Sequence, residues 1–392
     1  MSFLRYFADL HIHIGRDWDG RPVKITGSNS LTVTNIVKEA SRRKGLDMVG
    51  TIDAQSPAVQ EELKYLIGHG KAVELADGGI KYEDTVLILG SEIEIYDDAC
   101  KGPIHVLCYF PSIESMEKFS LWLKERMKNV FLSTQRFYGT AKELQDYVKA
   151  NGGLFIPAHI FTPFKSLYGK GVSHSLTEVF DPNRIDAVEL GLSADRDMAN
   201  QIAELESYTY LTNSDAHSLR NLAREYQEIL MKEKTFKELK RALKGEGGRG
   251  VTANYGLNPQ MGKYHLTVCA DCLTTLILAG EKCPSCGSAK IVKGVSERIR
   301  ELSNMKGQQR TRPDYYYQVP LSSLPGVGKK TYERLLESFT SEMDIIHRIP
   351  YSELVTVVNE KVADFILAMR VGKLRFQPGG GGKYGKVLLN YD

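Results

Sequence analysis

Between residues 5 and 213 the chain alternates short apolar runs with amphipathic stretches. Runs at 5–14 (RYFADLHIHI), 46–52, 85–90, 104–110, 153–158, 185–191 and 208–213 have the length and the aliphatic and aromatic content of strands. Helical patterns separate most of them, such as LTVTNIVKEASRRKG and TAKELQDYVKANGG. The second starts at Thr140 with Glu143 three residues on and stops at Gly152–Gly153, a matched start and end. Seven strand–helix repeats predict a parallel sheet, open or closed into a barrel. FKELKRALKGEGGRG ends this region with a helix and a glycine-rich break near residue 250.

Downstream the pattern changes. Residues 264–293 form a cysteine module, and 295–317 read as a charged helix running into a tyrosine-rich stretch. Residues 318–371 read as short helices separated by turns, and FQPGGGGKYGKVLLNYD as a flexible glycine stretch with a strand-like end. The expected organisation is a barrel over 1–250, a cysteine ribbon over 264–293 and a basic helical region over 294–392.

Polar residues interrupt the apolar strands at telling places. His11 and His13 share one face of the first strand. Asp53 follows MVGTI, Glu92 follows VLILGS, His105 opens IHVLCYF, and His159 follows GLFIPA. Asp215 and His217 form SDAH after YTYLTN. Apart from His105, these groups fall at or beyond the C-terminal ends of expected parallel strands, the rim where barrel active sites are built. Eight such groups at one rim are costly to bury without metal. Imidazole and carboxylate together suit Zn, Mn or Mg, so the set predicts two or three divalent ions. His11, His13, Glu92 and Asp215 could hold one ion and Glu92, His105 and His159 another. Asp53 and His217 are left for either, or for a third. Asp215, Glu92 and His13 are the expected catalytic centre. Multi-metal sites of this type hydrolyse phosphate esters.

Cys269, Cys272, Cys283 and Cys286 form Cys-x2-Cys, ten residues, then Cys-x2-Cys, the spacing of one closed, structural four-thiolate zinc. Cys100 and Cys108 stand apart as structural thiols. SLPGVGKKTYERLLESF has the form of a phosphate-binding hairpin: Gly326 and Gly328 shape the turn, and Lys329 and Lys330 open the next helix. RTRPDYYYQVP adds Arg310, Arg312 and Tyr316 as candidate DNA contacts, with at least one of its three tyrosines expected to pack instead. The long segment after His159 carries Lys165 and Tyr168 and is read as a substrate-contacting loop.

Charge sharpens this picture. The formal net charge is +3, but residues 1–250 carry −3 and residues 251–392 carry +6. The basic half suits an anionic partner such as nucleic acid. No apolar run reaches the ~18 residues of a membrane span, and the N-terminus lacks a signal-peptide core, so a cytoplasmic protein is expected.

DLHIH, GSEIEI, IHVL, PAHI and SDAH, in this order, resemble the PHP (polymerase and histidinol phosphatase) superfamily over roughly residues 1–250. The resemblance implies a distorted (β/α)7 barrel of phosphoesterase type with up to three metals, and matches His11, His13, Glu92, His105, His159, Asp215 and His217 to family ligands. The chain departs from the pattern twice. Ala54 stands where the family often has a histidine, and GRDWDGR replaces a further histidine. Asp53 is then either a substitute ligand or a residue that holds a ligand in position.

A PHP barrel, a four-cysteine ribbon and a helical end with this hairpin, in that order, resemble the endonuclease Q family. That resemblance implies DNA repair: cleavage of double-stranded DNA 5′ to a deaminated base (uracil, hypoxanthine or xanthine) or an abasic site, leaving 3′-hydroxyl and 5′-phosphate ends. The base pocket is expected among loops 15–30 and 160–180. The alternative reading is a PHP phosphatase acting on a small phosphate ester.

Overall fold

In the computed structural model, β1 (Leu4–Ile12), β2 (Met48–Thr51) and β3 (Thr85–Ile95) pair in parallel and begin a distorted barrel. The residues described are 2–262, 264–276, 282–306, 310–379 and 384–388. β4 (Ile104–Phe110) is antiparallel to β3, and β5 (Leu154–Pro157) is antiparallel to β4. β6 (Val188–Glu189) and β7 (Tyr210–Leu211) are a parallel pair, with β6 tied to the β5 region by Asp186 N–H to Phe155 C=O and Ile160 N–H to Glu189 C=O. The ring closes where Ile12 bridges Ala216. The expected all-parallel sheet therefore fails at β4. Residues 96–103 are too few for the crossover that a parallel connection needs. The reversal brings His105, at the start of β4, to the same rim as the ends of the other strands.

Strand periodicity explains how that rim becomes polar. Tyr6, Ala8 and Leu10 of β1 pack in an inner cluster with Val86, Ile88, Leu107, Tyr109, Leu154, Ile156, Ala187 and Leu211. Continuing each inward row toward the rim gives Glu92 and Glu94 on β3, His105 on β4, Glu189 on β6, and Asn213 and Asp215 beyond β7. On β1 the register shifts between Asp9 and Ile12, and Ile12 and Ile14 join the outer cluster. The shift turns His11 and His13 inward. Gly90 leaves room for the Tyr109 ring, which a Cβ would meet at 2.7 Å. The Tyr109 hydroxyl donates to the Leu10 carbonyl (2.6 Å).

Helices α1 (Val33–Glu39), α2 (Pro57–Gly68), α3 (Ile113–Lys124) and α4 (Ala141–Ala150) put apolar side chains into the outer cluster. α4 has the expected Thr140–Glu143 capping box, and Gly152 beyond its end has φ 75°. The lower half of β1 pairs with β8 (Tyr226–Met231), so the sheet forks there. α5 (Phe236–Leu243) packs Phe236, Leu239 and Leu243 into the inner cluster, and β9 (Gly250–Gly256) runs antiparallel to β8.

The ribbon sheet places β10 (Thr267–Cys269) between β11 (Thr275–Leu276) and β12 (Ile291–Val292). After α6 (Val295–Leu302), β13 (Asp314–Tyr317) returns to the barrel sheet, parallel to β9. α7 (Lys329–Ser338), α8 (Glu342–His347), α9 (Tyr351–Val357) and α10 (Glu360–Arg370) follow. They dock through polar contacts as well as apolar ones. Lys44 and Glu342, both buried, pair at 2.6 Å, and Tyr226 Oη lies 2.6 Å from His347 Nε2. Part of the glycine stretch expected in the tail, residues 380–383, lies outside the described residues. Phe376–Gln377 and Lys386–Val387 on either side of it pair antiparallel. No helix among the described residues is long and apolar enough to cross a membrane.

Candidate metal centre and nucleic-acid face

Three groups of side chains at the rim bring ligand atoms within 4.8 Å of one another: His11–His13–Glu92, Glu92–His105–His159, and His13–Asp215–His217. Glu92 lies between the first two. Its Oε1 is 2.9 Å from His105 Nδ1, 3.3 Å from His159 Nε2 and 3.8 Å from His11 Nε2; its Oε2 is 3.6 Å from His13 Nε2. Asp215 Oδ1 is 3.5 Å from His11 Nε2 and 3.4 Å from His13 Nε2. The His11 Nε2 atom is buried with no hydrogen-bond partner. An orphaned ring nitrogen facing two carboxylates fits a cation held between them.

Behind these groups stands a layer of carboxylates. Glu189 accepts from His11 Nδ1 (3.0 Å), from the His159 backbone N–H (2.8 Å) and from Asn213 Nδ2 (2.8 Å). Asp53 Oδ2 accepts from His13 Nδ1 (3.1 Å) and from the Ile14 N–H (2.7 Å). Glu94 lies 3.5 Å from His105 Nε2, the nitrogen turned away from Glu92. Glu189 and Asp53 each fix one ring nitrogen of their histidine and leave the other for the centre, the usual support of a metal-ligating imidazole, while Glu94 stands beside His105 without a hydrogen bond to it. Asp53 is absent from all three ligand groups, so of its two expected roles the geometry gives it the positioning one. Reading strand ends alone missed Glu94, Glu189 and Asn213, although the period-2 alternation that places Glu92 and Asp215 also places them.

The charges follow. Burial pulls the His11 imidazole down, but Glu189, Asp215 and Glu92 outweigh it and push it up to about 10. Burial resists ionisation of Glu92 and Asp215, yet the facing histidines hold both well below the usual carboxylate range. The neighbouring His105 imidazole, with Lys165 added, brings Glu94 to about 2. Burial, reinforced by His13, lowers His217 to about 4, so its ring is neutral near pH 7. Its Nδ1 donates to the Asp215 carbonyl (3.1 Å), which leaves Nε2 as a free lone pair. His159, Asp215 and Thr134 hold φ of 31°, 45° and 53°, a backbone conformation that non-glycine residues keep where the surroundings enforce it.

In the ribbon, Cys269 and Cys286 sulfurs are 3.6 Å apart, as are Cys272 and Cys283. That is close to the ~3.8 Å edge of a tetrahedron with Zn–S bonds of about 2.3 Å. Leu273 and Gly287, each following the second cysteine of a pair, hold φ of 60° and 73°. The two turns repeat one geometry, and the Leu273 and Gly287 N–H groups donate to the Cys269 and Cys283 carbonyls (3.0 and 2.8 Å).

Searched against family models, the chain matches none. It is 52% identical over 383 residues to the uncharacterized protein YqxK of Bacillus subtilis, covering 98% of this chain and 99% of that one. The lesion-specific endonuclease PfuEndoQ of Pyrococcus furiosus superposes with a TM-score of 0.83 at 34% identity, over 98% of this chain and 95% of that one. A structure of endonuclease Q in complex with a 27-mer duplex substrate carrying an abasic lesion at the active site gives 0.84 at 34% identity, over 99% and 97%. The chain belongs to the endonuclease Q family.

In this endonuclease Q-family chain the hairpin is formed as expected. Gly326 has φ 84°, the Val327 N–H bonds the Leu324 carbonyl (3.0 Å), and Gly328 caps α7 without a side-chain bond. Lys329 and Lys330 are exposed at its first turn. The element before the hairpin is a single 3-10 turn, Leu321–Ser323. Arg310 is exposed as well.

Three other expected DNA contacts are occupied within the fold. Tyr168 is fully buried, and its hydroxyl donates to Glu204 (2.7 Å). Arg312 lies over the Tyr210 ring at 3.7 Å and donates to the carbonyls of Leu205, Glu206 and Tyr208. Tyr316, in β13, stacks on Tyr255 at 5.3 Å. Tyr168 ties two segments of the barrel region together, and Arg312 and Tyr316 hold the C-terminal segments on the barrel. Lys165 is half exposed, with its ammonium 2.8 Å from Glu94. The loop 15–30 was expected to help build the base pocket. A cavity of ≈ 230 Å³ does open onto His159, Glu189, Asp215 and His217, but its far wall comes from Gly191, Ser193, Arg224, Tyr264 and Tyr384. Thr162 is its one residue from the segment 160–180.

Proposed function

We propose that this chain is a metal-dependent DNA repair endonuclease. It hydrolyses the phosphodiester 5′ to a deaminated base (uracil, hypoxanthine or xanthine) or to an abasic site in double-stranded DNA. The carrying observation is Glu92, whose carboxylate is shared by two ligand groups at one rim, His11–His13–Glu92 and Glu92–His105–His159, in a chain that matches endonuclease Q over nearly its whole length.

His11, His13, Glu92, His105, His159 and Asp215 are the residues that would hold divalent ions. Such ions supply positive charge to the phosphoryl group and make water acidic near neutral pH. Glu189 and Asp53 keep His11 and His13 in the ring orientation that presents a lone pair to the centre. His217 offers a neutral Nε2 to the same cleft. In the reaction a water oxygen bonds to phosphorus and the P–O3′ bond breaks; a proton from that water ends on O3′. The products are a 3′-hydroxyl and a 5′-phosphate. The hairpin at Gly326–Lys330 and Arg310 hold the duplex by its backbone, which carries no base information. A lesion must leave the stack to be checked, and the cavity beside His159 and Asp215 is the candidate pocket for it.

The test is incubation of the full chain with duplexes carrying a single uracil, hypoxanthine, xanthine or abasic site, in Mg²⁺, Mn²⁺ or Zn²⁺, with the product ends analysed. Incision 5′ to the lesion, with 3′-hydroxyl and 5′-phosphate ends and an undamaged duplex left intact, supports the proposal. Absence of incision in every metal overturns it.

A further inference from the structure

Arg220 stands in the turn Leu219–Asn221, just beyond His217 of the metal centre. One buried carboxylate fixes the loop that carries it. Asp9, fully buried in β1, accepts the Ser214 N–H at one oxygen and the Ala223 N–H at the other, both at 3.0 Å. The Asn221 N–H closes the turn on the Ser218 carbonyl (3.0 Å). Arg220 is therefore held on the same frame as Asp215 and His217, and on the strand that carries His11 and His13.

The hairpin meets this loop. Arg220 and Lys329 line one cavity of ≈ 390 Å³, with Gly328, Glu39, Arg43 and Glu333 among its other walls. Contacts within the fold take up the remaining charges there. Arg43 donates to both oxygens of Glu333 (2.8 and 3.0 Å) and lies 3.4 Å from Glu39. Lys44, which also lines the cavity, pairs with Glu342 at 2.6 Å. These pairs fix α7 and α8 against the end of α1, so both walls of the cavity are set by the barrel. Arg220 and Lys329 are exposed, and among the described residues neither forms a hydrogen bond or an ion pair. Two cations, one from the metal loop and one from the hairpin, thus line the same cavity without a counter-charge of their own. An anion between them would relieve their repulsion.

A phosphate suits such a pair: the guanidinium offers a planar fork of N–H donors and the ammonium a point charge. Chain length limits which phosphate it is. From His217 to Arg220 the backbone spans at most ~11 Å, and side-chain reach extends this to roughly 18 Å from the metal centre. At ~3.4 Å per nucleotide along a strand, that is about five nucleotides.

We propose that Arg220 is a DNA-positioning residue that clamps one backbone phosphate together with Lys329, within about five nucleotides of the incised bond. The clamp sets the hairpin and the metal centre in one register on the duplex, and it reads no base. This rests on the endonuclease reading.

The test is single-turnover incision of duplexes with one abasic site by the full chain, over a range of protein concentrations. Arg220→Ala, checked for folding by thermal melting, should raise the half-saturating concentration about tenfold or more. The maximal rate should stay within about threefold of wild type, because the residue touches no reacting atom. Arg220→Lys should recover part of the loss. Methylphosphonates, each removing one phosphate charge, are then placed singly along both strands. Wild type should show the same rise at one position within about five nucleotides of the cut. At that position Arg220→Ala and Lys329→Ala should each cost no more than about threefold further. Different phosphates for the two residues, or a position farther from the cut, would overturn the clamp. So would an unchanged half-saturating concentration in Arg220→Ala. A wild type that incises no lesion duplex overturns the endonuclease reading and the clamp with it, whereas an active wild type with an unaffected Arg220→Ala overturns the clamp alone.

Discussion

Asp53 Oδ2 sits 3.1 Å from His13 Nδ1, on the side of the imidazole that faces away from Glu92 and Asp215. This contact fixes the tautomer and makes His13 Nε2 the nitrogen available to an ion. His11 is held in the same way by Glu189 at 3.0 Å. Asp53→Ala and Glu189→Gln should each lower barrel metal affinity by roughly 10–100-fold, the usual loss when an outer partner of a ligating histidine is removed. Chelator competition measures the loss, with the ribbon zinc as internal control. Unchanged affinity in both variants would mean that the carboxylates only fill space.

The hairpin lysines predict a salt effect. Lys329→Glu with Lys330→Glu should weaken duplex binding and reduce the slope of log affinity against log salt by about two, one for each phosphate that a lysine no longer neutralises. Fluorescence anisotropy across salt concentrations reads both. A parallel salt plot would remove the hairpin from the DNA face.

The ribbon is expected to be separable from the barrel. Cys283→Ser breaks the four-thiolate group and should lose one metal ion per chain, with local loosening of 264–293 detectable by hydrogen exchange. Barrel metal content should remain. Loss of every ion from this variant would show that the two sites depend on each other.

Glu225 carries a pH prediction. It is fully buried, its Oε1 accepts from the Leu257 N–H (2.8 Å), and Oε2 has no hydrogen-bond partner. Burial raises this carboxyl to about 8. The folded chain therefore holds a proton that the unfolded chain, with a pKa of ~4.3, gives up. The contribution to stability is complete below ~4.3 and is lost as pH rises to about 8, at up to about 1.4 kcal/mol per pH unit. Glu225→Gln keeps the shape without the charge. Its melting temperature should fall less than that of the wild type between about pH 6 and about pH 9. Identical pH profiles would contradict the assignment.

Much of the site was legible in the sequence, for a physical reason. Inward positions on a strand recur every second residue, so a row that is apolar at Val86 and Ile88 and acidic at Glu92 announces a core that ends in a site. Seven ligand candidates came from that pattern and from the family motifs, and the seven fall in the three ligand groups. Glu94, Glu189 and Asn213 lie on the same rows, and Glu94 even falls within GSEIEI, but sequence gives no sign by which a carboxylate or amide that acts through a neighbour stands out. Asp53 was visible, but its side of His13 depends on how β2 and β1 register. Lys24, whose Nζ stands 3.5 Å from Glu92 Oε2, was out of reach, since its approach depends on backbone contacts between residues far apart in the chain, such as the Ser133 N–H to the Val23 carbonyl. Tyr168 and Arg312 looked available because their segments lack periodicity; burial against Glu204 and Tyr210 is a tertiary fact.

The central claim is that the Glu92 rim is a hydrolytic metal centre and the C-terminal elements hold DNA. The most direct measurement compares wild type with Asp215→Ala under single-turnover conditions on a duplex carrying one abasic site. Binding of the same duplex is followed in parallel. The account predicts that the wild type incises 5′ to the lesion. Asp215→Ala should bind within about threefold of wild type but lose at least ~1,000-fold in rate. Equal incision by the two proteins, or equal loss of binding and incision, would contradict it.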